Sequence, residues 1–189
     1  MRLFFSVCFL FAVLIVPEAW ARPKETVTVE YYDIEGSRKK DLIKEMKKKG
    51  VKEKNGRFHA HTHWRVNWNY RYAPASDGCR IHSVTTDLVI DYVFPRWTPP
   101  EGVSPDLVRK WERYYSALKT HEDGHAEIGR KAAAAVEAAL PRLGKGLSCG
   151  QIQGAVDAEG GRILNQYREE EADYDALTRS GRTQGAYLD

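Results

Sequence analysis

Alternation of apolar and polar residues is the strongest pattern in the chain. From residue 57 to residue 72, nearly every second side chain is apolar or aromatic, and histidine, arginine and asparagine fill the positions between them. Strict period-two alternation predicts a strand with one buried face. Turn-forming residues follow at 73–78, and a second apolar run occupies residues 79–94, before Pro95. The two runs predict a long antiparallel hairpin.

Elsewhere the pattern predicts one more strand and three helices. Alternation at residues 26–31 indicates a first strand. A helix is expected over residues 37–50, capped by its first serine and ended by its last glycine. A long amphipathic helix is expected over residues 104–140, where a serine and a proline begin it. A last helix is predicted over residues 151–171, with an irregular tail after it. The predicted fold class is α+β, an antiparallel sheet packed on the long helix.

The composition is that of a globular protein. Of the 189 residues, 42% are hydrophobic, 29% charged and 11% aromatic, and the net charge is +3. These values exclude a low-complexity or mostly disordered chain. So small a net charge does not favour nucleic acid as a partner. A lysine run over residues 44–54 is typical of a solvated helix face, with acidic polymers or lipid headgroups as the alternative partners.

The first 21 residues have the pattern of a secretory signal. Arg2 precedes an apolar run at residues 3–16, Pro17 follows, and residues 19–21 have the small-x-small pattern of a cleavage site. The apolar run is shorter than the ~20 residues that span a bilayer, so we expect no membrane anchor. The prediction is an exported protein, periplasmic or secreted, with a single mature domain at residues 22–189.

Two cysteines remain after this cleavage, Cys79 and Cys149. In an oxidising compartment they predict one disulfide, which closes a loop of about 70 residues and contributes roughly 4 kcal/mol in the chain-entropy model. Two separate buried thiols are the alternative.

One motif suggests chemistry. His121, Glu122 and His125 fit the pattern H-E-x-x-H inside the long helix. Residues four apart lie on the same face of a helix, so both imidazoles can bind one Zn²⁺. Glu122 lies beside them, where it can act as the general base towards a zinc-bound water. An ordinary helix that carries two histidines is the alternative.

The third zinc ligand does not follow from the motif itself. Ile128 and Lys131 stand where a compact subclass of zinc peptidases has glycine and a third histidine. We choose Asp175, because it lies in a segment that is less obviously solvated than its neighbours. The open alternatives are the acidic residues Glu169, Glu170 and Glu171 and the strand histidines His59, His61 and His63, which could also hold a metal on their own.

A set of short motifs extends over nearly all of the mature chain. They are Ala60-x-Thr62-x-Trp64, then Trp68, Tyr70, Cys79, Pro95, Trp97, Trp111 and Leu118, the motif at 121–125, Tyr174-Asp175-x-x-Thr178 and Gly181-x-x-Gln184-Gly185-Ala186. In this combination the chain resembles the bacterial exported proteins grouped as domain of unknown function 922, which are classed as candidate zinc-dependent proteases. The resemblance implies a zincin-like metallopeptidase fold and a zinc site. The chain departs from the pattern at Ser180, where the resemblance implies a histidine.

The sequence therefore predicts an exported zinc metallopeptidase that acts on a peptide or protein. In this prediction His121, His125 and Asp175 hold Zn²⁺, and Glu122 activates the water. The alternatives are a non-catalytic envelope protein that zinc stabilises, and a metal-binding module built on the strand histidines. Nothing in the sequence indicates an oligomeric state.

Overall fold

A computed structural model describes residues 23–53 and 56–189 of the chain. The secretory signal predicted for residues 1–21 lies outside the described residues. Among the helices described, none is both long and apolar enough to cross a membrane.

The described residues form five strands and three α-helices. They are β1 (Lys24–Ile34), α1 (Lys39–Lys49), β2 (Val51–Glu53), β3 (Gly56–Phe58), β4 (His61–Ala75), β5 (Gly78–Trp97), α2 (Pro105–Ala139) and α3 (Ile152–Thr178). Three short 3-10 turns lie at Leu140–Arg142, Cys149–Gln151 and Arg182–Gln184.

The main sheet has three strands in the order β1-β5-β4. Strands β4 and β5 form the predicted antiparallel hairpin, with Trp64 opposite Ile90. Strand β1, however, runs parallel to β5, with Lys24 opposite Asp87. The prediction of an antiparallel sheet is therefore wrong at β1, and the sheet is mixed. Alternation along a strand indicates which face is buried, but it carries no information on the direction of the neighbouring strand.

The buried face of the hairpin lies against α2. Thr62, Trp64 and Val66 of β4 are buried, as the alternation predicts. Helix α2 packs tightly on the sheet at Gly129, where a Cβ would lie 2.7 Å from Cγ of Trp64. This helix begins as predicted, since the Ser104 hydroxyl accepts a hydrogen bond from the backbone N–H of Leu107 at 3.2 Å.

Two predicted helix boundaries are wrong. Arg38 occupies the N-cap position of α1 without a side-chain cap, so Ser37 does not cap this helix. Helix α3 continues past residue 171 to Thr178 and ends at Arg179, which has left-handed backbone angles. Residues 169–175 have a charge pattern typical of a solvated tail, and the contacts that hold them in a helix come from α2 and β4, far away in sequence.

The disulfide between Cys79 and Cys149 is present, as predicted. It joins the start of β5 to the turn that precedes α3. A second buried cluster surrounds it, formed by residues such as Ile81, Val136 and Val156. The bond therefore attaches the first turns of α3 to the sheet.

Candidate metal centre

Two helices bring three possible ligands together. His121 and His125 lie one turn apart on α2, and Asp175 lies on α3. The Nε2 atoms of the two histidines are 3.3 Å apart. Oδ1 of Asp175 lies 3.2 Å from Nε2 of His121 and 3.4 Å from Nε2 of His125. The three atoms form a nearly equilateral triangle.

The dimensions of this triangle fit a tetrahedral metal ion. Zinc binds imidazole nitrogen and carboxylate oxygen at about 2.0–2.1 Å, which separates tetrahedral ligand atoms by about 3.3–3.4 Å. Two histidines and one carboxylate are also a ligand set that zinc accepts. His121, His125 and Asp175 could therefore hold a zinc ion without moving apart.

Electrostatics within the cluster also favour a cation. Burial lowers the pKa of His125, but the carboxylates of Asp175 and Glu171 outweigh it and raise the pKa to about 9. Burial raises the pKa of Asp175, yet the two histidines hold this pKa well below its usual range. A site that stabilises a positive charge in this way suits either a proton or a metal ion.

His121 is fixed in position by residues near the C-terminus. Its Nδ1 lies 3.0 Å from Oε1 of Gln184, so a protonated Nδ1 donates there and leaves the lone pair on Nε2 facing the cluster. Tyr174 stacks on the imidazole, with ring centroids 5.1 Å and planes 13° apart. Its hydroxyl donates to the carbonyl oxygen of His121 at 3.2 Å. Gly181, at φ +79°, leaves room on another side of the ring, because a Cβ would lie 2.9 Å from Cγ of His121.

Glu171 lies beside His125. Its Oε1 accepts a hydrogen bond from Nε1 of Trp64 at 3.0 Å. The same oxygen lies 3.3 Å from Nδ1 of His125, although the geometry is not that of a hydrogen bond. The contact is therefore electrostatic, and Glu171 stabilises a charged or metal-bound His125.

Glu122 is buried beside the cluster. Its Oε2 accepts a hydrogen bond from the hydroxyl of Thr62 at 2.7 Å. Burial raises the pKa of the Glu122 carboxyl, and the Thr62 hydroxyl and the neighbouring histidines partly offset this effect. The carboxylate is thus fixed in orientation and has a greater affinity for protons than an ordinary glutamate.

The remaining ligand candidates lie elsewhere. Glu169 is exposed, and Glu170 forms an ion pair with Lys131 at 3.3 Å. Of the three histidines predicted on one strand, His59 lies outside it, in the bend before β4, with its Nδ1 2.8 Å from the Tyr114 hydroxyl. Nε2 of His61 lies 3.7 Å from Oε1 of Glu53, and His63 is exposed. Within the described ranges, none of these side chains belongs to the three-residue ligand group.

The sequence places Glu171 among the alternative ligands and Tyr174 and Gln184 in short motifs, but it does not assign them as partners of the two histidines. One signal was available for Glu171. It lies four residues before Asp175, which repeats on α3 the spacing of His121 and His125 on α2. Two such pairs on facing helices can meet across their contact.

The cluster opens into a cleft of about 1050 Å³. One wall consists of the consecutive residues 57–67, and the other consists of the second half of α3 with Arg179, Ser180 and Arg182 after it. Consecutive residues of a strand point to opposite faces. The border of the cleft is therefore the edge of β4 and not one of its faces.

The motif-bearing region matches a family model. The model of the bacterial proteins of unknown function called DUF922 matches residues 29–182. The chain belongs to this family. The DUF922 match contains His121, Glu122, His125 and Asp175, and the family predicted from the sequence motifs is confirmed. Neither the curated proteins nor the solved structures include a significant match to the chain.

Proposed function

We propose that this DUF922 protein is an exported zinc-dependent peptidase of zincin-like architecture. The observation that carries the proposal is the triangle of ligand atoms, with edges of 3.2–3.4 Å, directly beside a buried carboxylate. His121, His125 and Asp175 would hold the zinc ion. Three protein ligands with a fourth position for water are characteristic of catalytic zinc sites.

Glu122 is the candidate proton acceptor beside the three proposed zinc ligands. Zinc bound here would polarise a peptide carbonyl and lower the pKa of its water towards about 7. In this proposal the Glu122 carboxylate, which the Thr62 hydroxyl orients, accepts a proton from the attacking water and returns it to the leaving nitrogen. Its raised pKa suits proton transfer near neutral pH.

The edge of β4 favours a peptide as the substrate. In the described part of the chain, no strand pairs with the outer side of β4. Its free N–H and C=O groups border the cleft, and an extended peptide can bind to such an edge as an additional strand. A peptide bound in this way would pass next to the metal centre.

Export is supported by two features. Residues 1–21 have the pattern of a secretory signal. The disulfide between Cys79 and Cys149 is typical of proteins in oxidising compartments.

The decisive experiment compares zinc content and peptide hydrolysis in Glu122→Gln. This variant should retain zinc and lose hydrolysis by about 10²–10⁴-fold, because the base is absent while the ligands remain. His121→Ala and Asp175→Asn should lose zinc. His82→Gln, at an exposed strand position away from the cleft, is the matched control and should retain both properties.

Two outcomes would contradict the proposal. Zinc-loaded wild-type protein that hydrolyses no member of a broad peptide library would favour the non-catalytic, zinc-stabilised protein. Unchanged zinc content in Asp175→Asn would mean that the third ligand is another residue.

A further inference from the structure

We infer that the substrate is an acidic peptide, whose carboxylates bind arginines on both walls of the cleft. The inference rests on the proposed peptidase function and names the class of its substrate. Several arginines of the cleft have no carboxylate partner in the described chain, whereas the acidic side chains of the cleft do have partners.

Three arginines lie on the α3 side of the cleft. Arg168, Arg179 and Arg182 are exposed and line it. Among the residues that the structure describes, no carboxylate forms an ion pair with any of them. Outside the cleft the arginines are mixed: Arg38, Arg96, Arg109, Arg130 and Arg162 each bind a carboxylate, whereas Arg71, Arg80, Arg113 and Arg142 form no ion pair among the described residues. Arg65 also lines the cleft, and it binds Asp91 at 3.0 Å.

The opposite wall is also basic. Arg57 donates a hydrogen bond to the carbonyl oxygen of Gly50 at 2.7 Å, and it has no carboxylate partner within the described ranges. Burial lowers the pKa of His59 on this wall, and the nearby charge of Lys47 on α1 lowers it further. Lys47 therefore adds a positive charge next to this wall.

Each acidic side chain of the cleft already has a partner within the chain. Glu122 binds Thr62, and Glu171 and Asp175 face the histidines. Glu53 lies 3.7 Å from His61. The cleft thus presents four arginines without a carboxylate partner in the described chain around a centre that would hold a cation, and such a field attracts anionic ligands. A guanidinium binds a carboxylate with two parallel hydrogen bonds.

The ligand chemistry fits a peptide better than a nucleic acid. Proteins that bind single-stranded DNA or RNA stack the bases on exposed aromatic rings. The aromatic residues that line the cleft, Phe58 and Trp64, are half-buried and buried. The free edge of β4, in contrast, offers hydrogen bonds that a peptide backbone satisfies.

The test measures binding separately from hydrolysis. The probes are two fluorescein-labelled peptides that alternate alanine with either glutamate or glutamine, and fluorescence anisotropy is measured on zinc-loaded Glu122→Gln. The glutamate peptide should bind about tenfold more tightly, a difference of about 1.4 kcal/mol. Adding Arg179→Gln and Arg182→Gln, or raising the salt concentration, should remove most of the difference. Adding Arg162→Gln, a change on α3 outside the cleft, should not.

Equal affinity for the two peptides would overturn the inference, whether or not the wild type hydrolyses peptides. Tighter binding of a thymidine oligonucleotide than of the glutamate peptide would overturn it as well. If Glu122→Gln prefers the glutamate peptide but the wild type hydrolyses no peptide, the peptidase proposal is contradicted. The protein would then bind acidic peptides as ligands.

Discussion

The hydroxyl of Tyr174 packs against Gly124 so closely that a Cβ at the glycine would overlap it. This contact lets the tyrosine ring lie flat against His121. Gly124 is one of the two variable positions of the H-E-x-x-H motif. Its lack of a side chain therefore helps to position His121 in the candidate metal centre.

Replacing this glycine should weaken metal binding. In Gly124→Ala, the new methyl group displaces Tyr174, and His121 loses the ring that orients it. We expect a loss of zinc affinity of about 10-fold, the lower end of the range for partners of metal ligands, measured by competition with a chromophoric chelator. Gly161→Ala on α3, where a Cβ meets nothing within 4 Å, is the control. It should bind zinc normally and gain up to about 1 kcal/mol in stability. Wild-type zinc affinity in Gly124→Ala would mean that the tyrosine does not position His121.

Removing the hydroxyl of Thr62 should change the pH dependence of hydrolysis. The hydrogen bond from Thr62 stabilises the charged form of Glu122 and so lowers its pKa. Without this bond the pKa rises, and the acid limb of kcat/KM should move to higher pH in Thr62→Val. Thr62→Ser, which keeps the hydroxyl, should restore the wild-type profile. An acid limb that does not move in Thr62→Val would exclude Glu122 as the group responsible for it.

Loss of the disulfide should destabilise the protein substantially. Cys79 and Cys149 are 70 residues apart, so their bond restricts the unfolded chain by about 4 kcal/mol in the chain-entropy model. We expect a decrease of this order in the free energy of unfolding of Cys79→Ala/Cys149→Ala, measured by urea denaturation. The wild type with its disulfide reduced should show a similar decrease. A double variant as stable as the oxidised wild type would contradict the prediction.

The ion pair between Glu25 and Arg130 should make stability depend on acid pH. Arg130 of α2 donates to both carboxylate oxygens of Glu25 on β1, and these hydrogen bonds lower the pKa of Glu25 below its ordinary value of 4.5. The contribution is therefore present above about pH 4.5 and is lost as the pH falls through the lower pKa of the folded state. Glu25→Gln should cost about 0.5–1 kcal/mol at neutral pH and almost nothing at about pH 2. Urea denaturation at both pH values measures this difference, and an equal loss at both would contradict it.

The parts of the site that follow from local spacing could be predicted from the sequence. A helix places residues four apart on one face, so His121, Glu122 and His125 could be chosen without knowledge of the fold. Asp175 was chosen from the character of its segment, and the structure brings it to the histidines through the contact of α2 with α3. Glu171 resembles a solvated charge in the sequence, because its partner Trp64 is 107 residues away.

In the fold, too, local features could be predicted from the sequence, and features that depend on distant contacts could not. The β4–β5 hairpin is local, so its alternation and turn predict it. The end of α3 depends on contacts with distant elements, and local charge pattern misplaced it at residue 171 instead of Thr178. The direction of β1 depends on a pairing across the whole sheet, which alternation along β1 does not encode.

The parallel pairing of β1 with β5 also predicts an order of assembly for the sheet. Thr28 of β1 contacts Asp91 of β5, 63 residues later in the chain. A growing chain emerges with β1 first, so this strand has no partner until β5 has been synthesised. The hairpin between β4 and β5 closes only a short turn and can form sooner, since closing a longer loop costs more entropy. We therefore expect the first strand of the sheet in sequence to be the last to join it.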